Sequence, residues 1–255
     1  MRKIKILFGI SLIANVVLLT SLVYFNRNMF LHEEVIDDKD VVDVVEVQEE
    51  KHEKEVIPNE KEEILYVETP HITMTKSQFE LLPDSKADIV FAGDSITEFG
   101  WWDEWFPNHK VKNRGISGDV VQGVLYRIDG ISVLSPKQVF LMIGINDIIQ
   151  EHSIEHIKDS YLHLCEKMSK EMPNMQIYLQ SILPTNSVEK NVQIREVNEE
   201  ICRLAGEFGF EYIDLYSLFI DSEGLLKEGY SLDGVHLSGE AYLAWVDELT
   251  NYIED

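Results

Sequence analysis

Five short strand-like runs, separated by longer stretches of helical periodicity, restrict what this chain can fold into. The runs fall at Ile89–Ala92, Lys110–Asn113, Gln138–Ile143, Gln176–Gln180 and Glu211–Ile213. Helical spacing of apolar residues spans Val120–Ile128, Ile154–Glu171, Val188–Phe208 and Ser238–Ile253. A strand, a crossover helix and a second strand return the chain parallel to its start. Repetition of that unit predicts an open parallel α/β sheet covered by helices on both faces. In such a sheet the carboxyl ends of the strands share one edge, and ligands bind there.

Four polar blocks are expected at or near that edge. They are Gly93-Asp94-Ser95-Ile96, Asn113-Arg114-Gly115-Ile116-Ser117-Gly118-Asp119, Gly144-Ile145-Asn146-Asp147 and Asp233-Gly234-Val235-His236. Their residue types suit acyl transfer. A serine hydroxyl such as Ser95 is a weak nucleophile until a base takes its proton. His236 is a suitable base, because imidazole titrates near neutrality. Asp233, three residues earlier, can reach the other ring nitrogen and fix the tautomer. Backbone N–H groups at Ser95 and Gly115 and the Asn146 amide are candidate donors to a developing oxyanion. Each such donor is worth about 2.7–4 kcal/mol where it has been measured. The structural alternatives are plain: a turn at Gly-Asp-Ser, a capping His236, a turn-closing Asn146 and a merely permissive Gly115. Asp94 and Asp119 are expected to stabilise their own loops. Arg114 is expected to pair with a carboxylate or to reach substrate.

Composition removes some functions. The net charge is −24, from 22 basic and 46 acidic residues. Phosphate recognition needs clustered Lys and Arg, so nucleic acid is not an expected partner. His152 and His156 share a helix face, but Ser153 stands where a zinc protease motif needs Glu, so no metal site is expected there. Cys165 and Cys202 read as two buried thiols. Phe99, Trp101, Trp102, Trp105 and Phe106 follow Ser95 closely. Trp101, Trp102 and Trp105 are candidates to wall an acyl pocket or stack a sugar ring, or else to pack on the core.

Three segments are expected. Residues 1–28 contain an uncharged run of 20 residues, Ile6–Phe25, behind Arg2, Lys3 and Lys5. At about 1.5 Å per residue it spans about 30 Å, the thickness of a bilayer core. With no small-x-small cleavage site it reads as a transmembrane signal anchor, with the N-terminus cytoplasmic and the remainder extracytoplasmic. Residues 29–63 are an acidic spacer; 14 of the 33 residues from Leu31 to Glu63 are Asp or Glu, against four Lys. Residues 64–255 form the globular domain.

The four blocks, in this order, resemble the SGNH (GDSL-type) hydrolases, a family of esterases and lipases, over roughly Ile64–Asp255. The family's serine, glycine, asparagine and histidine match Ser95, Gly115, Asn146 and His236, and its aspartate matches Asp233. Ile96 stands where the name-giving motif has leucine. The Asn113–Asp119 run looks most like the branch similar to platelet-activating-factor acetylhydrolases, which includes bacterial esterases of short acyl groups. The resemblance implies a flavodoxin-like three-layer sandwich with a five-stranded parallel sheet, a Ser-His-Asp mechanism and no cofactor or metal. The implied substrate is a small-molecule or glycan ester, O-acetyl carbohydrate first and lipid ester second. A non-catalytic surface binding module on the same fold is the alternative from another class.

Overall fold

The computed structural model describes residues 66–82 and 86–253. The expected anchor at 1–28 and the spacer at 29–63 lie outside them. Among the described residues no helix is long and apolar enough to cross a membrane.

The five expected strands are present as β1 (Ile89–Gly93), β2 (Val111–Gly115), β3 (Gln138–Met142), β4 (Gln176–Gln180) and β5 (Glu211–Ile213). All pair in parallel, in the order β2-β1-β3-β4-β5. This is the flavodoxin-like order, with a switch point between β1 and β3 where the chain leaves in opposite directions. Every residue of β1 and β3 is buried, so both faces of the central sheet are covered. β2 runs two residues further than its apolar pattern implies. Arg114 and Gly115 are held in register against Ala92 and Gly93, so pairing extends the strand where hydropathy does not.

Two long helices match expectation at both ends. The helices α7 (Ile154–Glu171) and α8 (Val188–Phe208) begin at Ser153 and Ser187, whose side chains accept from the N–H of His156 and Lys190. Apolar residues at helical spacing, Ile157, Tyr161, Leu164 and Met168 on α7 and Ile194, Val197, Ile201 and Leu204 on α8, turn one face of each into the core. The last helix, α10 (Gly239–Leu249), is capped by Ser238 and ends earlier than its periodicity suggests. The expected Val120–Ile128 helix is two pieces, α4 (Val121–Tyr126) and α5 (Asp129–Ser132). Five helices carry little or no periodic signal: α1 (Pro70–Leu81), α2 (Ser95–Glu98), α3 (Trp102–Trp105), α6 (Ile145–Ile149) and α9 (Leu215–Phe219).

The aromatic cluster after Ser95 divides. Trp102 is 0% exposed, stacks on Phe91 at 4.1 Å and donates from Nε1 to the Thr97 carbonyl at 2.8 Å. It is therefore core, and the expectation that it faces substrate is corrected. Phe106 is buried with it, while Phe99, Trp101 and Trp105 stay exposed. Both cysteines are free; Cys165 is buried and its thiol pKa is pushed up to about 12, chiefly by burial. Cys202 is exposed, contrary to expectation, because it lies on the outer face of α8.

Candidate active site

At the carboxyl end of β1 the chain turns directly into α2. Asp94 caps that helix through Oδ1, which accepts from the Ile96 N–H at 3.0 Å. Asn113 on the neighbouring β2 braces the turn, donating from Nδ2 to the carbonyls of Thr97, Glu98 and Gly100 at 3.0–3.1 Å. Tyr242 on α10 donates its hydroxyl to the Ile96 carbonyl at 2.6 Å. These contacts hold Ser95 in place at 6% exposure.

Ser95 Oγ lies 2.9 Å from His236 Nε2, and His236 Nδ1 lies 2.7 Å from Asp233 Oδ2. Residues 141 apart in sequence meet here. Asp233 Oδ1 also accepts from the N–H groups of Val235 and His236 and from the Ser231 hydroxyl. The His236 bond, followed by the two backbone donors, holds the Asp233 carboxyl well below the usual carboxylate range. An ionised Asp233 only accepts, so His236 Nδ1 carries the proton and Nε2 is left to accept from the Ser95 hydroxyl. The Asp233–His236 segment does not extend a strand end as its block pattern implies. It follows β5 through α9 and a loop pinned by bridges at Ile220–Leu226 and Ser231–Leu237.

The donor side of the site differs from expectation at one glycine. The Gly115 N–H donates to Asn113 Oδ1 at 2.9 Å and is already used. Glycine is needed there because a Cβ would lie 2.2 Å from the Glu98 nitrogen. Three residues on, Gly118 sits at φ +82° in a turn closed by the Asp119 N–H donating to the Ile116 carbonyl. Its own N–H meets no acceptor among the described residues. Asn146, in the first turn of α6 just after β3, donates one amide hydrogen to the Asp119 carbonyl at 2.8 Å, which sets its side chain against the same turn and leaves the second hydrogen free. The Ser117 N–H in turn donates to Glu98 Oε2 at 2.7 Å, tying this turn to α2. Gly118 was missed because two glycines share one short run, and only the turn geometry tells them apart.

Beneath the site lie three buried carboxyls, Asp94, Asp119 and Asp147. Asp119 is ion-paired with Arg127, Nε to Oδ2 at 2.8 Å. Asp147 accepts from the Val121 N–H and contacts His152 Nδ1 at 3.3 Å, so His152 is anchored there. Among the described residues no cation contacts Asp94. Burial, with smaller contributions from Asp119 and Asp147, pushes its pKa up to about 7. A folded-state pKa above the unfolded value makes stability greatest below about pH 4 and erodes it as pH rises through 7. Asp94→Asn keeps an Oδ1 acceptor and cannot ionise. Relative to wild type it is expected to gain on the order of 1 kcal/mol between pH 5 and pH 8. Urea unfolding of both proteins at the two pH values measures this; a constant difference would show that Asp94 does not titrate there.

The site stands at the switch point of a doubly wound sheet and joins a serine, a histidine and a carboxylate to an edge of hydrogen-bond donors. Residues 91–244 match the GDSL-like lipase/acylhydrolase family, and the chain belongs to it. It is an ester hydrolase of that family. The alpha1 subunit of platelet-activating factor acetylhydrolase IB from Rattus norvegicus is 28% identical over 171 residues, covering 62% of this chain and 72% of the relative. A solved structure provisionally described as a platelet activating factor from Streptococcus pneumonia is 27% identical, with a TM-score of 0.64 over 71% of this chain and 90% of that one. The acetyl xylan esterase AlAXEase shares the fold at 20% identity, with a TM-score of 0.58 over 65% of this chain and 99% of that one.

Proposed function

We propose that this hydrolase is a serine esterase that removes short acyl groups, above all O-acetyl groups on carbohydrate. The observation that carries the reading is the unbroken Ser95–His236–Asp233 chain, at 2.9 and 2.7 Å. Ser95 Oγ attacks the ester carbonyl as His236 Nε2 takes its proton, and Asp233 stabilises the imidazolium. The oxyanion receives the Ser95 N–H, the Gly118 N–H and the free Asn146 amide hydrogen. His236 returns the proton to the leaving alcohol, and water then releases the acyl group by the same route.

Support for a small acyl group comes from a cavity of about 240 Å³ bordering Gly118, walled by Tyr66, Thr69, Ile72, Val120 and Gln150. The acetylhydrolase relative points the same way, and the fold shared with an acetyl xylan esterase supports a sugar as the alcohol. Phe99, whose ring lies 5.4 Å from that of His236, and Trp101, 69% exposed two residues on, are the aromatic surface proposed to meet the sugar. Trp105, which is also exposed, is a further candidate for that contact. The uncharged Ile6–Phe25 run supports anchorage in the cell membrane with the catalytic domain extracytoplasmic.

Activity of the full-length protein on aryl esters of two to twelve acyl carbons, and on acetylated xylo-oligosaccharides, tests this. The kcat/KM is expected to be highest for acetyl and to fall about tenfold or more by octanoyl, as a pocket of limited volume rejects added methylenes. A preference for long chains would replace the carbohydrate reading with a lipid one.

A further inference from the structure

Among the described residues, one buried guanidinium has no counter-charge. Arg114, the fourth residue of β2, is 5% exposed. Its Nη1 donates to the carbonyl of Asn113 at 3.0 Å, and its guanidinium lies 4.4 Å over the ring of Phe79 on α1. Its Nε is buried and has no acceptor among the described residues. No carboxylate there lies within ion-pair distance of it. The neighbouring guanidinium, Arg127, is fully engaged with Asp119 and the carbonyls of Arg114 and Gly93. Burial first and the Arg127 charge second push the Arg114 pKa down. A desolvated cation beside a second cation is costly unless an anion joins it.

The surroundings offer room for one. Both guanidiniums border a cavity of about 320 Å³, whose apolar walls are Phe79, Leu82, Ile131 and Leu134. Two acids, Glu80 and Asp129, also border it; Glu80 is exposed, and Asp129, 71% exposed, is paired with Lys167 at 2.9 Å. Solvent therefore screens the acids while Arg114 stays desolvated. Lys76 at the rim is paired with Glu68. Successive side chains on a strand point to opposite faces. Asn113 reaches the carbonyls behind Ser95, so Arg114 and this cavity lie on the other face of β2, apart from the catalytic chain.

We propose that this cavity binds a small amphiphilic carboxylate, with its head on the Arg114 guanidinium and its short hydrocarbon tail against Phe79, Ile131 and Leu134. A single unpaired guanidinium matches a single charge and can take a carboxylate in bidentate fashion. The apolar walls favour a tail over the fully hydrated shell of inorganic phosphate. The site does not depend on the catalytic reading of Ser95.

The probe is sodium hexanoate, titrated into full-length protein labelled with ¹⁵N-arginine at constant pH and ionic strength. The Arg114 Nε–H resonance, assigned by its loss in Arg114→Lys, is expected to move saturably with hexanoate and to stay fixed with hexanol and with inorganic phosphate. Val133→Trp, a change at the exposed rim of the cavity, is expected to weaken hexanoate at least tenfold while ester turnover is unchanged. Absence of a saturable shift with hexanoate would overturn the proposal. An equal response to hexanol would reduce the site to an apolar void. A response to phosphate alone would remove the tail from the argument. If Arg114→Lys does not fold, the Arg114 Nε–H is assigned by through-bond correlation to its own backbone in ¹³C,¹⁵N-labelled protein, and the same outcomes apply.

Discussion

Ser95→Ala is expected to lower kcat on 4-nitrophenyl acetate by about 10⁴–10⁶-fold, with KM changed little. The size follows from what the hydroxyl does in the proposed route. It forms the covalent bond, and neither His236 nor the oxyanion donors can replace it; they can only assist direct attack by water. Stability should hardly change. The lost hydrogen bond frees His236 Nε2, but that ring is about 40% exposed and can bond to water, so the net cost is under about 1 kcal/mol. Two measurements check this together: steady-state kinetics, and intact-mass detection of fluorophosphonate labelling. Wild type should gain one adduct, on Ser95, and the variant none. Wild-type turnover in the variant, or an adduct on another residue, would refute the nucleophile. An inactive, unlabelled wild type would leave the binding module as the better reading.

Elements long enough to repeat their period could be read from the residues alone. The helices α7 and α8 show five and six turns of one-faced apolar spacing, and their serine caps mark where they start. By contrast, α1 buries only Ile72 among its 12 residues, so it has almost no apolar face to detect. The one-turn helices α2 and α3 are shorter than any periodic signal. In the site, Ser95, Asn146, Asp233 and His236 were legible because each is a polar break beside an apolar run or a turn pair. What could not be read is which of two near neighbours takes a role. Trp101 and Trp102 are adjacent, yet one is in solvent and the other fills the space over Phe91. Gly115 and Gly118 share one run, and a single bond from the Gly115 N–H to Asn113 Oδ1 decides which N–H is free. Arg114 was the arginine expected to find a carboxylate; Arg127 has it, because α4 ends over Asp119 and the ends of β1 and β2. Each of these choices depends on residues far away in sequence.

Arg127 is also where the largest loss of stability is expected. Its guanidinium is almost fully buried and makes three bonds: Nε to Asp119 at 2.8 Å, Nη1 to the Arg114 carbonyl at 2.7 Å and Nη2 to the Gly93 carbonyl at 3.0 Å. It thus ties together the ends of β1 and β2, from which the nucleophile turn and the donor turn both emerge. Arg127→Met fills similar space but leaves Asp119 as a buried charge with no cation, removes the charged donor from the Arg114 carbonyl and leaves the Gly93 carbonyl with the Ile116 N–H. A loss of about 3–5 kcal/mol follows, the range for breaking one side of a buried ion pair. The loss should depend on pH. Burial already raises the Asp119 pKa and Arg127 opposes it, so removing the cation raises that pKa further. A raised folded-state value means stability lost as pH climbs, and the deficit of the variant should therefore be larger at pH 8 than at pH 5. Adding Asp119→Asn to Arg127→Met removes the stranded charge while keeping an acceptor for the Val120 N–H, so the double variant should recover part of the loss at pH 8 and little at pH 5. Urea unfolding of the two variants and wild type at both pH values reads all of these differences. A loss below about 1 kcal/mol in Arg127→Met, or no recovery at pH 8, would mean that water reaches Asp119 and that the ion pair does not hold the two strand ends together.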